Sequence, residues 1–403
     1  MAARGEAGDR GPKVRSDCWI AVDVRDKGGV EIALRSKVAG LYGASIEALV
    51  ADGCAALGVE HAKVEVEDQG ALPFVLAARL ETAVKRALSD CTAEFLLPSA
   101  ASCAYTSERD RLRRTRLYLP GTQPKLFVNA GLHGPDAVIL DLEDSVAPGE
   151  KDAARCLVRN ALRAVDFCGA ERMVRINQGD PGLDDLAWVV PHNVHLILVP
   201  KVESPEQMTA VAERIAALKP ANHVYLMPII ESALGAWQAY EIAAAHPSIV
   251  ALSIGLEDYT ADIGTQRTLE GTESFWARSQ VLNGARAAGV QPIDTVFSDV
   301  TDMDGLRQSV LEAKGLGYVG KGCIHPRQIP VVHEALAPTD TEIERAVKIV
   351  RAFDEAQARG LGVVSLGSKM IDAPVVKRAL TTVDTAVLVG KLADGWRDEE
   401  VSG

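Results

Sequence analysis

From residue 116 onward, short apolar runs alternate with longer segments in which apolar residues recur at helical spacing. Helical segments such as KDAARCLVRNALRAV and SPEQMTAVAERIAALK lie between the runs. The eight runs are LYLP, AVILDLED, MVRIN, LILVPK, VYLMPIIE, VALSIGLED, VQPIDT and GYVGKGCIH. Nearly continuous apolar character is typical of parallel strands that helices cover on both faces. The pattern therefore predicts an α/β fold, with a TIM (β/α)8 barrel over residues 114–338.

The pattern before residue 93 is different and predicts a small α+β two-layer domain over residues 18–92. CWIAVDV and VEIALRS, joined by RDKGG, predict a β-hairpin with a Gly-Gly turn. The helical stretch ASIEALVADGCAAL, the strand AKVEVED and the helical stretch FVLAARLETAVKRAL follow. Residues 1–17 are polar and glycine-rich, which predicts a disordered tail.

Two further segments complete the predicted organisation. Residues 93–113 have few periodic apolar positions and predict a linker, which leads into the basic cluster RDRLRRTR. That cluster is either a solvated patch or a contact for a phosphate-bearing ligand at the barrel mouth. Residues 339–403 contain a long amphipathic helix and then the turn KMIDAP, which predict a C-terminal helical extension.

Composition narrows the class of protein. The chain has 403 residues, a hydrophobic content of 47% and a formal net charge of −12, which argues against a nucleic-acid-binding surface. Its seven cysteines are scattered and never spaced as CxxC, which indicates a reducing compartment and neither a disulfide framework nor a zinc site. No apolar run reaches the roughly 18 residues of a membrane span. We therefore expect a soluble, cytoplasmic protein.

Charged side chains follow nearly every predicted barrel strand. Glu231 and Asp258 close two successive strands, and parallel strands bring such residues to the same edge. Two carboxylates together with substrate oxygens are sufficient to hold Mg²⁺. Alternatively, Glu231 caps the next helix and Asp258 lies in a solvated loop. The other polar strand ends are Asp141, Glu143, Asp144, Arg175, Asn177, Lys201, Glu203, Asp294 and His325. Active sites of such barrels lie at this rim, so we expect a cation bound with an anionic substrate.

Several motifs in residues 114–390 resemble one enzyme family. They include DLEDSVAP from Asp141, VPKVE from Val199, GLED ending at Asp258, CIHP from Cys323 and KMIDAP ending at Pro374. In combination they resemble the citrate lyase beta subunit and the malyl-CoA and citramalyl-CoA lyases of the HpcH/HpaI aldolase superfamily. The resemblance implies a TIM barrel assembled as trimers or hexamers. It also implies cleavage or formation of a carbon–carbon bond between an acyl-thioester enolate and an α-keto acid.

The resemblance also implies roles for individual residues. Glu231 and Asp258 would hold Mg²⁺, and Arg175 would stabilise the enolate oxygen. Asp372 would act as general acid/base at the barrel mouth of a neighbouring subunit, although an Asp in this position can simply cap a helix. Glu143 and its neighbour Asp144 would orient Arg175 or metal-bound water. Arg116 and Lys125 would lie near the phosphates of coenzyme A or of a carrier arm.

The N-terminal domain, and especially DQGALPFVLAARLETAVKRA, resembles the acyl carrier (gamma) subunit of citrate lyase. That subunit carries a phosphoribosyl-dephospho-CoA arm on a serine before its first strand, and Ser16 is the matching candidate here. A citrate lyase alpha-type transferase subunit is then an expected partner. Three alternatives stay open: a lyase for free CoA thioesters with a structural N-terminal domain, a non-catalytic carrier or scaffold, and an aldolase acting on non-thioester keto acids.

Overall fold

The computed structural model describes residues 3–360, 364–366 and 369–397. It divides into two compact units, Met1–Ile329 and Pro330–Gly403. Within the described residues, no helix is both long and apolar enough to cross a membrane.

The first unit begins with a four-stranded sheet and two helices. The elements are β1 (Arg4–Ala7), β2 (Cys18–Val24), β3 (Val30–Ser36), α1 (Ala39–Ala56), β4 (Ala62–Asp68) and α2 (Pro73–Ala87). The strand order is β1-β2-β4-β3. Apolar side chains of the sheet, of α1 and of α2 form one buried core. The predicted two-layer arrangement of strands and helices is therefore present.

The predicted hairpin of β2 and β3 is wrong, because β4 lies between these strands. β4 pairs antiparallel with β2 and parallel with β3. The glycine turn crosses the end of β4 instead of closing a hairpin. Gly29 N donates to His61 Nδ1 at 3.1 Å, and Ala62 N donates to Gly29 O at 3.1 Å. The connection therefore passes over one strand.

The predicted disordered tail is also wrong, because residues 4–7 form β1 and pair antiparallel with β2. Gly5 was one reason to expect disorder, but it is a position of close packing. A Cβ at Gly5 would lie 2.1 Å from the carbonyl oxygen of Ala83 in α2. A glycine within a strand often marks such a close backbone approach.

The barrel follows, as the alternating pattern predicted. Its strands are β5 (Thr115–Pro120), β6 (Ala137–Asp141), β7 (Glu171–Arg175), β8 (Leu196–Val199), β9 (Tyr225–Ile230), β10 (Ala251–Ile254), β11 (Gln291–Asp294) and β12 (Gly320–Cys323). They close in the order β10-β11-β12-β5-β6-β7-β8-β9, and all barrel pairings are parallel. The helices are α3 (Pro124–Phe127), α4 (Lys151–Ala164), α5 (Gly179–Val189), α6 (Pro205–Ala217), α7 (Ala233–Trp237), α8 (Ala239–Ala244), α9 (Leu256–Asp262), α10 (Phe275–Ala287), α11 (Met303–Leu316) and α12 (Gln328–Leu336).

The basic cluster before β5 is part of the barrel framework. Arg113 and Glu171 form an ion pair at 2.7 Å, and both side chains are fully buried. Arg114 pairs with Asp136 at 2.9 Å. These carboxylates lie at the amino ends of β6 and β7, opposite the barrel mouth. Of the two readings of the cluster, contact with a ligand phosphate at the mouth therefore does not fit.

Helix α2 joins the N-terminal layer to the barrel by packing against α4. The carboxylate of Glu81 accepts hydrogen bonds from Arg159 Nη1 at 3.0 Å and Nη2 at 2.5 Å, and both side chains are 0% exposed. Arg86 pairs with Asp152 at 2.7 Å nearer the surface. A buried ion pair is stable only while both partners stay in place, so it fixes the N-terminal layer on the barrel.

The second unit contains α13 (Asp340–Ala358), β13 (Val364–Leu366), β14 (Lys369–Ile371) and α14 (Ala373–Leu388). Thr339 and Glu342 form a capping box at the start of α13. The two helices pack on each other around a core that includes Ile349, Val350 and Val383. The expected helical extension is thus present, together with a two-stranded sheet.

Candidate active site

A cavity of about 350 Å³ lies at the carboxyl ends of the barrel strands. Parallel strands present the residues at and just after their carboxyl ends to this mouth. The charged residues among those that line it are Arg116, Asp141, Asp144, Arg175, Glu231, Glu257, Asp258 and Asp294. The structure thus brings the predicted metal ligands and Arg175 to one cavity.

Glu231 comes directly after β9 and is 7% exposed. Its Oε2 accepts a hydrogen bond from the backbone N–H of Lys201 at 3.0 Å. Burial, reinforced by the negative charge of Asp258, raises the pKa of Glu231 to about 7. A buried carboxyl group next to a second acid is poised to exchange its proton for a metal cation.

Asp258 lies in the first turn of α9 rather than at the end of β10. Its side chain is 39% exposed, and its Oδ1 is 3.0 Å from Lys201 Nζ. Burial lowers the pKa of Lys201, but the hydrogen bond and the charge of Asp258 outweigh that effect and raise it. Lys201 therefore contacts both acids, one through its backbone and one through its side chain.

Gly255, between β10 and α9, makes room for the carboxylate of Glu231. A Cβ at this position would lie 2.4 Å from Glu231 Oε1 and 2.7 Å from its Cγ. The backbone N–H of Gly255 donates to Ile230 O at 2.9 Å and so holds β10 beside β9. The position of the Glu231 carboxylate therefore depends on the absence of a side chain at Gly255.

These residues fit a hard divalent cation. Two carboxylates that repel each other gain from a shared positive charge, and Mg²⁺ commonly takes one or two carboxylates plus water and substrate oxygens. Among the described residues, no group of three or more His, Cys, Asp or Glu side chains could hold a metal ion. Glu231 and Asp258 would thus leave most coordination positions to water and substrate.

Arg175, the last residue of β7, is fixed by Asp141. Its Nε and Nη2 donate to the two oxygens of Asp141 at 2.6 and 2.7 Å, and Nη1 is 3.0 Å from Glu143 Oε2. Burial alone raises the pKa of Asp141, but the bonds from Arg175 outweigh it and lower that pKa. A guanidinium has five N–H donors, so two remain for a ligand in the cavity.

The carboxylates around Arg175 differ in exposure. Glu143 is 3% exposed and accepts from Gln178 Nε2 at 2.7 Å, while Asp144 is exposed and 3.9 Å from Arg175 Nη1. Burial raises the pKa of Glu143. Tyr118 places its ring 5.3 Å from the Arg175 guanidinium carbon. These contacts restrict Arg175 to one orientation at the cavity wall.

Arg116 does not lie where a surface phosphate could meet it. Alternate β5 residues, including Arg116 and Tyr118, face the barrel interior, and Arg116 is 1% exposed. It therefore lies on the cavity floor, and the expected contact with the carrier-arm phosphates does not fit this position. Lys125 is exposed in α3, which follows β5 on the mouth side.

The remaining predicted residues are Ser16 and Asp372. Ser16 is partly exposed and has a left-handed backbone with φ of 54°. Asp17, next to it, accepts from Arg79 Nε at 3.0 Å, and Arg79 Nη2 donates to Thr122 O at 3.0 Å, just after β5. Asp372, in the second unit, accepts from Val375 N at 3.3 Å and caps α14.

Some site features carried little sequence signal. Tyr118 reads as an ordinary strand residue, and nothing local marks Gly255 as the neighbour of a buried acid. Asp294 was expected among the rim residues, but it is fully buried between Lys321 at 2.7 Å and Arg278 at 3.2 Å. The carboxylate of Asp294 is thus paired with two cationic side chains of the protein itself. Only the spacing of strand ends could have indicated which residues meet.

Comparison with known proteins gives two family matches along the chain. Residues 114–326 match the model described as HpcH/HpaI aldolase/citrate lyase. Residues 11–87 match the model described as malonate decarboxylase delta subunit. The two matched segments correspond to the barrel and to the N-terminal layer.

Individual relatives match across the barrel and beyond. The citrate lyase subunit beta of Leuconostoc mesenteroides is 39% identical over 277 residues, which is 67% of this chain and 92% of the relative. The L-malyl-CoA/beta-methylmalyl-CoA lyase of Rhodobacter capsulatus is 32% identical and covers 68% of this chain and 95% of its own. The CitE protein of Mycobacterium tuberculosis, solved with magnesium, acetoacetate and coenzyme A, is 31% identical with a TM-score of 0.58, covering 69% of this chain and 99% of that one.

Proposed function

We propose that this chain cleaves a 3-hydroxyacyl thioester into an acetyl thioester and an α-keto acid. The chain belongs to the HpcH/HpaI aldolase/citrate lyase family and is a magnesium-dependent carbon–carbon lyase. One observation supports the proposal most directly. The acid pair Glu231 and Asp258 lines the same cavity as Arg175. An anionic substrate with a reacting carbonyl needs these two kinds of group together.

The reaction balances without an oxidant or reductant. A base removes the proton of the substrate hydroxyl, and the oxygen electrons form the carbonyl of the keto acid. The carbon–carbon bond breaks, and its electron pair forms the enolate of the acetyl thioester, which then takes up a proton on carbon. When held by Glu231 and Asp258, Mg²⁺ would supply positive charge that polarises the oxygens of the keto acid.

Arg175 would stabilise the enolate oxygen through its two remaining N–H donors. Asp141 and Glu143 hold the guanidinium in place, so little reorganisation accompanies the reaction. Removing a fixed donor of this kind typically costs about 3 kcal/mol of transition-state stabilisation. We infer that Asp141 positions the guanidinium of Arg175 for this role.

We assign the proton transfer to Asp372 of a partner subunit, in a trimer or hexamer. Asp372, at the start of α14, belongs to the second unit, whereas Glu231 and Arg175 belong to the first, and this division supports the assignment. Mixing inactive Glu231→Gln protein with inactive Asp372→Ala protein tests it, since mixed oligomers contain some complete sites. Recovery of activity on mixing supports a shared site, and mixed oligomers that stay inactive contradict it.

The N-terminal layer would carry the acyl group on an arm attached to Ser16. Arg79 links Asp17, the neighbour of Ser16, to the loop after β5, so the arm would start on the mouth side of the barrel. Attachment to the same chain raises the effective concentration of the thioester at the cavity. Lys125, exposed on that side, would contact the arm phosphates, and an alpha-type transferase subunit would reload the arm.

Intact-mass spectrometry tests the arm directly. Protein from cells that contain the arm-attaching enzymes should carry the added mass of the phosphoribosyl-dephospho-CoA group, and Ser16→Ala protein from the same cells should not. Unmodified wild-type protein would contradict the carrier role, and free CoA thioesters would then be the substrates.

The lyase function is tested by supplying thioesters directly. Purified protein is incubated with Mg²⁺ and, in parallel, with citryl-CoA, malyl-CoA and citramalyl-CoA, and acetyl-CoA and keto acid are followed by mass spectrometry. We expect one thioester to be cleaved and EDTA to abolish the reaction. Absence of cleavage both with the free thioesters and with arm-loaded protein would contradict the function.

A further inference from the structure

A buried arginine on the cavity floor has no carboxylate partner. Arg116 takes part in none of the ion pairs found among the described residues, and its Nε has no hydrogen-bond partner there. Its Nη1 lies 3.2 Å from Met227 Sδ, and its Nη2 lies 3.4 Å from Ser253 Oγ and 3.5 Å from the Asp294 carbonyl oxygen. These are long contacts to weak or neutral acceptors.

The other fully buried arginines of the first unit show what such a charge normally requires. Arg79, Arg113 and Arg159 each pair with a buried carboxylate. The Nε of Arg172 also has no partner among the described residues, but its two Nη atoms donate to backbone carbonyl oxygens at 3.0 and 3.2 Å. A buried charge without compensation is strongly unfavourable. Burial accordingly lowers the pKa of Arg116. A ligand anion reaching the floor would supply the missing counter-charge.

The nearest acid does not neutralise Arg116. The carboxylate of Asp294 contacts Lys321 at 2.7 Å and Arg278 at 3.2 Å, and only its backbone oxygen faces Arg116. The floor of the cavity is therefore positive, while Glu231 and Asp258 make the wall near α9 negative. A ligand that is complementary to both the positive floor and the negative wall must chelate a cation with one end and present a second negative group to the floor.

We propose that Arg116 binds the distal carboxylate of a dicarboxylic α-keto acid, which makes the substrate a citryl thioester rather than a malyl or citramalyl thioester. This inference rests on the proposed lyase function. Cleavage of a citryl thioester releases oxaloacetate, whereas malyl and citramalyl thioesters release glyoxylate and pyruvate. Oxaloacetate alone among these products has a second carboxylate. Arg116 is thus a specificity-determining residue.

Keto-acid binding tests the inference without any turnover. Binding of freshly dissolved oxaloacetate, of pyruvate and of 2-oxobutyrate in the presence of Mg²⁺ is measured by calorimetry. 2-Oxobutyrate replaces the distal carboxylate with a methyl group, so it separates charge from size. We expect wild-type protein to prefer oxaloacetate by about 10- to 100-fold, the range of a hydrogen bond to a charged group.

Two variants locate the preference in Arg116. Arg116→Met keeps an unbranched side chain without charge, and we expect the preference to fall below about threefold while pyruvate affinity is retained. Arg116→Lys should keep part of it. We also expect Arg116→Met to melt at or above the wild-type temperature, because it removes an uncompensated buried charge. A lower melting temperature with the preference intact would show a structural role and overturn the inference.

The outcomes separate this inference from the lyase proposal. If no keto acid binds wild-type protein in the presence of Mg²⁺, both are wrong. If all three bind with similar affinity, or if Arg116→Met keeps the preference, the lyase proposal stands and the role of Arg116 is refuted.

Discussion

Replacing Gly255 with alanine tests whether the position of the Glu231 carboxylate matters for metal binding. The added Cβ would lie 2.4 Å from Oε1, 2.7 Å from Cγ and 2.9 Å from Cδ of Glu231, whereas ordinary contacts begin at 3.4 Å. Glu231 must therefore move by about 1 Å in a site where it is 7% exposed. Since Mg²⁺ requires near-octahedral geometry at about 2.1 Å, this displacement is large.

The expected magnitude follows from the contact that holds the carboxylate. Its hydrogen bond from Lys201 N is worth about 1.5–3 kcal/mol for a charged acceptor. If Glu231 must break this bond to reach the cation, the affinity for Mg²⁺ falls by about 10- to 100-fold. The measurement is acetyl thioester formation against Mg²⁺ concentration, with direct calorimetric titration of Mg²⁺ in parallel.

Gly315→Ala is the matched control for this substitution. Gly315 lies in α11, and an added Cβ there meets no atom within 4 Å. Alanine is favoured over glycine in a helix by roughly 0.5–1 kcal/mol, so this variant should be slightly more stable and keep the wild-type Mg²⁺ dependence. A wild-type Mg²⁺ dependence in Gly255→Ala would refute the reasoning.

Three further outcomes are expected. Glu81→Gln removes the fully buried carboxylate partner of Arg159 and leaves it only the partly exposed Glu94, 2.9 Å away, so it should lower the free energy of unfolding by about 3 kcal/mol in urea titrations. Glu31→Gln, in an exposed pair, should cost less than about 1 kcal/mol, and equal losses would contradict the docking of α2. Because the pKa of Glu231 is about 7, Mg²⁺ affinity measured by calorimetry should rise about tenfold per pH unit up to pH 7 and level off above it, and a flat profile would exclude Glu231 as a ligand. Asp141→Asn should lower kcat about 100-fold with little change in Mg²⁺ affinity, since Asp141 bonds Arg175, Ser145 and the backbone N–H of Glu143 but neither Glu231 nor Asp258; an unchanged kcat would contradict the positioning role.

The barrel was predictable because its strands are buried on both faces, so each is marked by its own apolar run. The N-terminal sheet was predicted less well because pairing partners are chosen over long distances. β4 comes after β3 in sequence yet separates β3 from β2. Gly5 looked like a sign of disorder, although it is required by the contact with Ala83.

The candidate site, like the fold, could be predicted from the sequence only in part. Strand-end spacing was sufficient to bring Glu231, Asp258 and Arg175 to one cavity, because parallel strands share a carboxyl edge. It did not reveal that Lys201 would contact both acids. Nor did it show that Arg116 faces inward, which depends on the strand register and not on the motif around it.

The most direct test of the central claim is the Mg²⁺ dependence of thioester cleavage in wild-type protein and in Glu231→Gln, with the Asp258→Asn variant as a second case. Acetyl-CoA release from the preferred thioester is followed over a Mg²⁺ titration after EDTA treatment. We expect no turnover without Mg²⁺ in wild-type protein and loss of turnover in both variants at Mg²⁺ concentrations that saturate the wild type. Metal-independent turnover, or wild-type turnover in Glu231→Gln, would contradict the claim.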